Sequence, residues 1–244
     1  IKVSDYLNYE KMDGIKYVMT GDSNVTFRVN TKTYYQTEMQ TINISGSLSS
    51  INMISKEDLI YGRMPENEKE IVIDKMVYDK ANEIKMVGLY ELSRMVDHEV
   101  YLGNELLTYK IVGITDMESP SIYVDESQFY SIIDNSKDSE SEMWGMTTDS
   151  DTLGVLDYNL YKDKLKITKG HEPKSNYEVI VNDDLKEEFK LDKYIDSVKI
   201  NGNKLKVVGY YKSEYNINNY FVNSETNKYK IIESKKNMII YANN

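Results

Sequence analysis

A thirteen-residue phrase occurs twice in this chain, and this repetition constrains the fold more than any other feature. GRMPENEKEIVID at residues 62–74 returns as GHEPKSNYEVIVN at residues 170–182. Both copies carry a glycine, a proline and a glutamate at the same spacing, which gives the pairs Gly62/Gly170, Pro65/Pro173 and Glu70/Glu178. Each glutamate precedes three branched apolar residues, a pattern typical of a buried strand.

A pair of strands is predicted after each copy. Residues 99–114 read as two strands around a Gly103-Asn104 turn. Residues 197–210 read as a hairpin, because Asn201-Gly202 between alternating apolar residues is a strong short-range turn signal. The two copies are therefore followed by the same kind of element.

Further matches follow in the same order. KIVGI at 110–114 corresponds to KVVGY at 206–210, which pairs Gly113 with Gly209. SIYVDES at 121–127 corresponds to NYFVNSE at 219–225 and predicts another strand leading into a helix. An ordered set of matches indicates an internal duplication.

The duplication predicts an α+β fold with two related strand–helix–hairpin–strand subdomains, in which small mixed sheets pack against helices. DNSKDSESE at 134–142 is acidic and rich in serine, as expected of a linker or exposed loop. Trp144, the only tryptophan, is either a core anchor or an exposed partner contact. The predicted division is an N-terminal α+β segment, repeat A, an acidic linker or loop, and repeat B, at 1–54, 55–133, 134–158 and 159–244.

The repeated residues are interpreted first as architectural. Gly62 and Gly170 would allow a backbone turn with positive φ, and the prolines behind them would stiffen the loop. Gly113 and Gly209 would suit a bulge or a close backbone contact. The functional alternative makes the G-x-x-P loop a docking surface.

Composition limits the partners. A net charge of −10 argues against nucleic acid, which requires a basic face, and against direct adhesion to an anionic membrane surface. The chain has no cysteine, so it has no disulfide, thiolate nucleophile or cysteine-based zinc site. It does not begin with methionine, which indicates either an excised fragment or a mature form.

No catalytic, cofactor or metal signature is recognisable. The glycines are scattered singly, which excludes the phosphate-binding and dinucleotide-binding loops, and no G-x-S-x-G is present. His98 and His171 are each followed by glutamate, but neither continues to H-E-x-x-H. DSDTLG at 149–154 resembles the start of a calcium loop, yet Leu153 fills a ligand position. We expect no catalytic residue, metal or cofactor, although a carboxylate pair acting on cell-wall glycans stays open.

LIYGRMPENEKEIVI at 59–73, followed by EVYLGNELLTYKIVGI and SIYVD, resembles the extracytoplasmic domain of MacB/FtsX-type ABC-transporter permeases. Gly62-Arg63 and Val112-Gly113 match the Gly-Arg and V-x-G phrases of that family. The second copy resembles the duplicated form in Gram-positive permeases, but His171 replaces the arginine. The resemblance covers roughly 55–133 and 166–225.

The resemblance implies a non-catalytic domain on the extracellular face of the plasma membrane. It would couple ATP-driven motion of the membrane helices of its own polypeptide to an exported substrate or an extracellular protein. The implied ATPase is a separate cytoplasmic ATP-binding subunit. The alternatives are a secreted or surface-anchored binding module and, third, a cell-wall glycan hydrolase.

Overall fold

The computed structural model describes residues 1–21, 23–30, 42–81, 83–102, 106–143 and 154–243. Within these ranges, no helix is both long enough and apolar enough to cross a membrane. The predicted Gly103-Asn104 turn and Trp144 lie outside the described residues, as does most of the DSDTLG stretch.

The described residues form short helices and many strands. The helices are α1 (Val3–Glu10), α2 (Lys75–Lys80), α3 (Glu126–Met143), α4 (Tyr158–Tyr161) and α5 (Ser224–Ser234). The first eight strands are β1 (Ile15–Thr20), β2 (Asn24–Val29), β3 (Asn43–Ser50), β4 (Leu59–Gly62), β5 (Glu70–Asp74), β6 (Glu99–Leu102), β7 (Leu107–Thr115) and β8 (Ser121–Val124). The others are β9 (Val155–Asp157), β10 (Lys166–Gly170), β11 (Glu178–Asn182), β12 (Tyr194–Ile200), β13 (Asn203–Lys212), β14 (Tyr220–Val222) and β15 (Met238–Ala242).

These elements belong to two compact units. Unit A is Ser23–Thr147, and unit B combines Ile1–Asp22 with Thr148–Asn244. Each unit holds one copy of the repeated phrase within its own mixed sheet. The mixed sheets and the helices packed on them confirm the predicted α+β class.

The sheet of unit A has the strand order β4-β7-β5-β8-β3-β2-β6, and β6 also pairs with β7, so the pairing closes on itself. The pairs β5–β7 and β3–β8 are parallel, and the remaining pairs are antiparallel. Helices α2 and α3 pack on this sheet. The core includes Phe27 and Tyr109, whose rings meet edge to face at 5.6 Å.

The main sheet of unit B has the order β10-β13-β11-β14-β9, with β12 paired to β13. This order matches β4-β7-β5-β8-β3 of unit A strand for strand. The pairs β11–β13 and β14–β9 are parallel, as are the equivalent pairs β5–β7 and β8–β3 of unit A. Unit B adds a two-stranded ribbon of β1 and β15. The two copies of the phrase therefore occupy the same place in the same topology.

The prediction of a linker or loop at 134–158 is wrong for residues 134–143, because these residues continue helix α3. The helix is polar overall, but Phe129, Ile132 and Ile133 are buried on the sheet side. Within the predicted linker, the Ser136 hydroxyl accepts a hydrogen bond from the Thr26 amide at 2.9 Å. Contacts with β2 stabilise a segment whose composition alone indicates a loop.

Two further boundaries differ from the prediction. Residues 155–157 form strand β9 of the unit B sheet, although they fall within the predicted linker. The predicted segment 1–54 is divided between the units. Its first part pairs with β15 and packs against α5, whereas β2 and β3 join the sheet of unit A.

Asp74 and Asn182 end the two copies of the repeated phrase. Each side chain accepts a hydrogen bond from the backbone amide two residues later, and Asp74 accepts further hydrogen bonds. Asp74 Oδ1 accepts from the Met76 amide at 2.9 Å, and Asn182 Oδ1 accepts from the Asp184 amide at 3.0 Å. Fully buried Asp74 also accepts, at Oδ2, from the Thr115 hydroxyl at 2.9 Å and the Met117 amide at 2.7 Å. The aspartate therefore joins β5, α2 and the end of β7.

Substituting Asp74→Ala should destabilise unit A by about 3 kcal/mol or more, because three donors lose their acceptor. Asn182→Ala is the matched control in unit B and should cost only about 1 kcal/mol, the usual value of a cap. Chemical denaturation followed by circular dichroism measures both. Equal losses in the two variants would contradict the assigned role of Asp74.

Candidate functional site

The repeated glycines form pairs across two neighbouring strands. Gly62 on β4 lies opposite Gly113 on β7, and Gly170 on β10 lies opposite Gly209 on β13. Gly62 and Gly170 have φ values of +79° and +77°, as the predicted turn requires. A Cβ atom on Gly62 would lie 2.1 Å from the Val112 carbonyl oxygen, and one on Gly170 would lie 2.1 Å from that of Val208. No side chain fits at either position.

The partner glycines are equally restricted. A Cβ atom on Gly113 would lie 2.6 Å from the Arg63 carbonyl oxygen, and one on Gly209 would lie 2.5 Å from that of His171. The parallel pairing on the other side of each strand shifts register just before the glycine, as a bulge does. Gly113 and Gly209 thus each lie beside a bulge and in close contact with a carbonyl group.

Gly62→Ala and Gly170→Ala should each destabilise their unit by about 2 to 5 kcal/mol, since backbone strain adds to a collision with a carbonyl group. Gly202→Ala is the control, because Gly202 also has positive φ (+74°) but no atom within 4 Å of a built Cβ. Only strain of about 1 to 2 kcal/mol is expected there. Denaturation midpoints of the three variants test this, and a Gly202 variant as unstable as the others would refute the close-contact argument.

The repeated glutamate accepts a hydrogen bond from the loop that follows Gly62 in unit A and Gly170 in unit B. Glu70 accepts a hydrogen bond from the Glu66 amide at 2.8 Å, and Glu178 accepts one from the Lys174 amide, also at 2.8 Å. Pro65 and Pro173 lie within these loops, half-buried and buried respectively. The G-x-x-P phrase is thus closed by its own glutamate in both units.

Unit A adds a charged clamp that unit B lacks at the corresponding position. Arg63 donates to both oxygens of Glu70, at 2.7 and 2.6 Å. These hydrogen bonds lower the pKa of the buried Glu70 carboxyl to about 2 and raise the pKa of Arg63. In unit B, His171 is exposed and its ring Nδ1 lies 2.7 Å from the Glu172 carbonyl oxygen. The guanidinium therefore reinforces a loop that can close without it.

Arg63→Gln should lower the unfolding free energy at pH 7, because Glu70 loses both of its hydrogen bonds to the guanidinium. The folded pKa of Glu70 is depressed below its unfolded value, so its stabilisation is complete above about pH 4.5 and disappears toward pH 2. The difference between wild type and variant should shrink over this range. Exposed Arg94 supplies the charge-matched control Arg94→Gln, and a pH-independent difference for Arg63→Gln would contradict the assignment.

The remaining predicted residues are not part of this loop, although the Asn201 side-chain amide donates to the Tyr177 hydroxyl of the unit B loop at 3.1 Å. Asn201 and Gly202 form the β12–β13 turn with φ values of +51° and +74°, as a two-residue hairpin turn requires. His98 is half-buried, with Nε2 2.9 Å from the Asn30 carbonyl oxygen, and burial lowers its pKa. Among the described residues, no three His, Cys, Asp or Glu side chains are grouped to hold a metal ion.

Sequence reasoning did not single out the exposed apolar residues beside the loop. Ile60, Tyr61 and Met117 are 44%, 45% and 48% exposed. Ile60 and Tyr61 are on β4, and Met117 follows β7 near the start of β4, where Leu59 pairs with Thr115. Aligning the two copies reveals them, because the second copy has Thr168, Lys169 and Ser213 at these positions.

Comparisons with known proteins give partial structural matches. No family model and no curated protein matches the chain. The periplasmic region of MacB from Actinobacillus actinomycetemcomitans is 16% identical with a TM-score of 0.30, and the match covers 51% of this chain and 55% of that one. The extracellular domain of the ABC-type transporter YknZ from Gram-positive bacteria is 18% identical with a TM-score of 0.31, covering 51% of this chain and 62% of that one. The matched part is thus less than two thirds of either structure.

Proposed function

We propose that this chain is the extracytoplasmic domain of a MacB/FtsX-type ABC-transporter permease in its duplicated form. The single observation that supports it best is the doubled phrase in two units that share a five-strand order. The residues that carry the sequence resemblance, Gly62-Arg63 and Val112-Gly113, lie together at one strand pair. The proposal assigns this chain to the same class of domain as the two matched structures, whose names describe them as a periplasmic region and an extracellular domain.

In this role the domain is non-catalytic. It would couple ATP-driven movement of membrane helices of the same polypeptide to an exported substrate or an extracellular protein. ATP hydrolysis would belong to a separate cytoplasmic subunit. Two small units with closely packed, hydrogen-bonded strand pairs suit transmission, because packed elements move as bodies and do not deform continuously.

Labelling in intact cells tests the location. The chain has no cysteine. Tyr194 is 60% exposed, so Tyr194→Cys introduces a single reactive thiol here. The experiment uses the full-length protein with any cysteines elsewhere replaced. A membrane-impermeant maleimide should label it in intact cells. Labelling only after lysis would refute an extracytoplasmic domain.

The full reading frame supplies the second readout. A permease domain should be preceded by a hydrophobic segment of about 20 residues and followed by several more. The protein should also co-purify with an ATP-binding subunit. A cleavable signal peptide upstream and a stop codon soon after residue 244, with labelling in intact cells, would instead identify a secreted binding module.

A further inference from the structure

Unit A carries an apolar surface around β4, which pairs with β7 and with no other strand among the described residues. We name this surface the β4 patch and define it by Ile60, Tyr61, Met64 and Met117. Ile60, Tyr61 and Met117 are between 44% and 48% exposed. Met64 is half-buried against the buried cluster of Ile54, Val72 and Tyr123. Met64 thus joins the patch to the core.

The strand pairing does not require apolar residues at these positions. Unit B has the same strand pairing, with Gly62↔Gly113 equivalent to Gly170↔Gly209. At the positions of the patch it carries Thr168, Lys169, Glu172 and Ser213. Lysine on an edge strand is a usual protection against unwanted pairing. Unit B therefore shows that the same strand pairing forms with polar residues at these positions.

Acidic groups border the β4 patch. Glu57, Glu66 and Glu118 are exposed around it. The neighbouring cations are fewer: Arg63 pairs with Glu70 and lies 3.9 Å from Glu66, Lys75 Nζ lies 3.4 Å from the Asp116 carboxylate, and exposed Lys56 precedes Glu57. The surface surrounding the apolar residues is therefore negative.

The same border is less acidic in unit B, although Glu214 stands at the position of Glu118. Lys174 stands at the position of Glu66, and Lys212 stands at the position of Asp116. Lys166, at the start of β10, occupies the position of Asp58. The four apolar residues and the more acidic border thus occur together in unit A, whereas the equivalent edge of unit B is polar at these four positions and richer in lysine.

We propose that the β4 patch docks a segment of a partner protein whose apolar residues are bordered by lysine or arginine. An apolar centre with a charged rim is the usual anatomy of a protein interface. Charge complementarity selects the basic flanks. The open edge of β4 additionally offers backbone groups to an extended segment. A second copy docking patch to patch is disfavoured, because it would place the same glutamates against one another.

This inference depends on the surface of unit A and not on the permease role. It is therefore tested on the chain alone, whatever the outcome of labelling in cells. The probe is a fluorescein-labelled synthetic peptide, KKVTVYVKK, and the comparison peptide is EEVTVYVEE. Binding is measured by fluorescence anisotropy at several salt concentrations.

The decisive variant gives the β4 patch the residues of unit B, I60T/Y61K/M64E/M117S, and leaves the net charge unchanged. We expect the wild type to bind the basic peptide, more weakly as salt rises, and the variant to bind at least about tenfold more weakly. The acidic peptide should bind neither protein. If half-buried Met64 makes the variant unfold, I60T/M117S should still weaken binding.

Three results would overturn the proposal. Equal binding of the basic peptide by wild type and variant would assign the attraction to the overall charge of −10. Failure of the wild type to prefer the basic peptide would remove the predicted partner chemistry. Self-association of the wild type in analytical ultracentrifugation, abolished in the variant, would identify a second copy as the occupant.

Discussion

Each unit is organised around a contact between two backbone strands at a pair of glycines. The strands approach so closely there that a carbonyl oxygen occupies the space of a side chain at Gly62 and at Gly170. The contact fixes the edge strand against the long hairpin strand, and the bulge beside it adjusts the register of the parallel strand on the other side. The loop that leaves the contact must return to that parallel strand, and Glu70 or Glu178 closes it. One steric constraint thus explains why glycine and glutamate recur together.

Unit B is built from both ends of the chain, with unit A inserted between its parts. The β1–β15 ribbon stacks Tyr17 on Tyr241, with ring centroids 4.4 Å apart. Helix α1 packs against α5, and Lys228 lies 2.6 Å from Glu10. These contacts are all between residues far apart in sequence, where neither periodicity nor turn chemistry carries information. This is why the sequence predicts one N-terminal segment while the structure divides it.

The parts that could be predicted from sequence are those set by local chemistry. Asn201-Gly202 specifies its hairpin turn, and the glycine spacing specifies where the backbone needs positive φ. Helix α3 shows the opposite case. Its polar second half is held partly through Ser136, which accepts from a β2 amide, and composition cannot anticipate a partner that comes from another element. The clamp between Arg63 and Glu70 also needs the folded loop, since it joins residues across the turn.

Comparing the two units separates what folding requires from what it does not. Positions that share a role in both units, such as the glycine pairs and the loop-closing glutamates, are explained by packing and hydrogen bonds. Ile60 and Tyr61 are not, because Thr168 and Lys169 occupy the same edge in unit B without a change of topology. Exposed apolar side chains on an open edge increase the risk of aggregation. A residue that folding does not need and solubility disfavours requires another explanation, and contact with a partner supplies one.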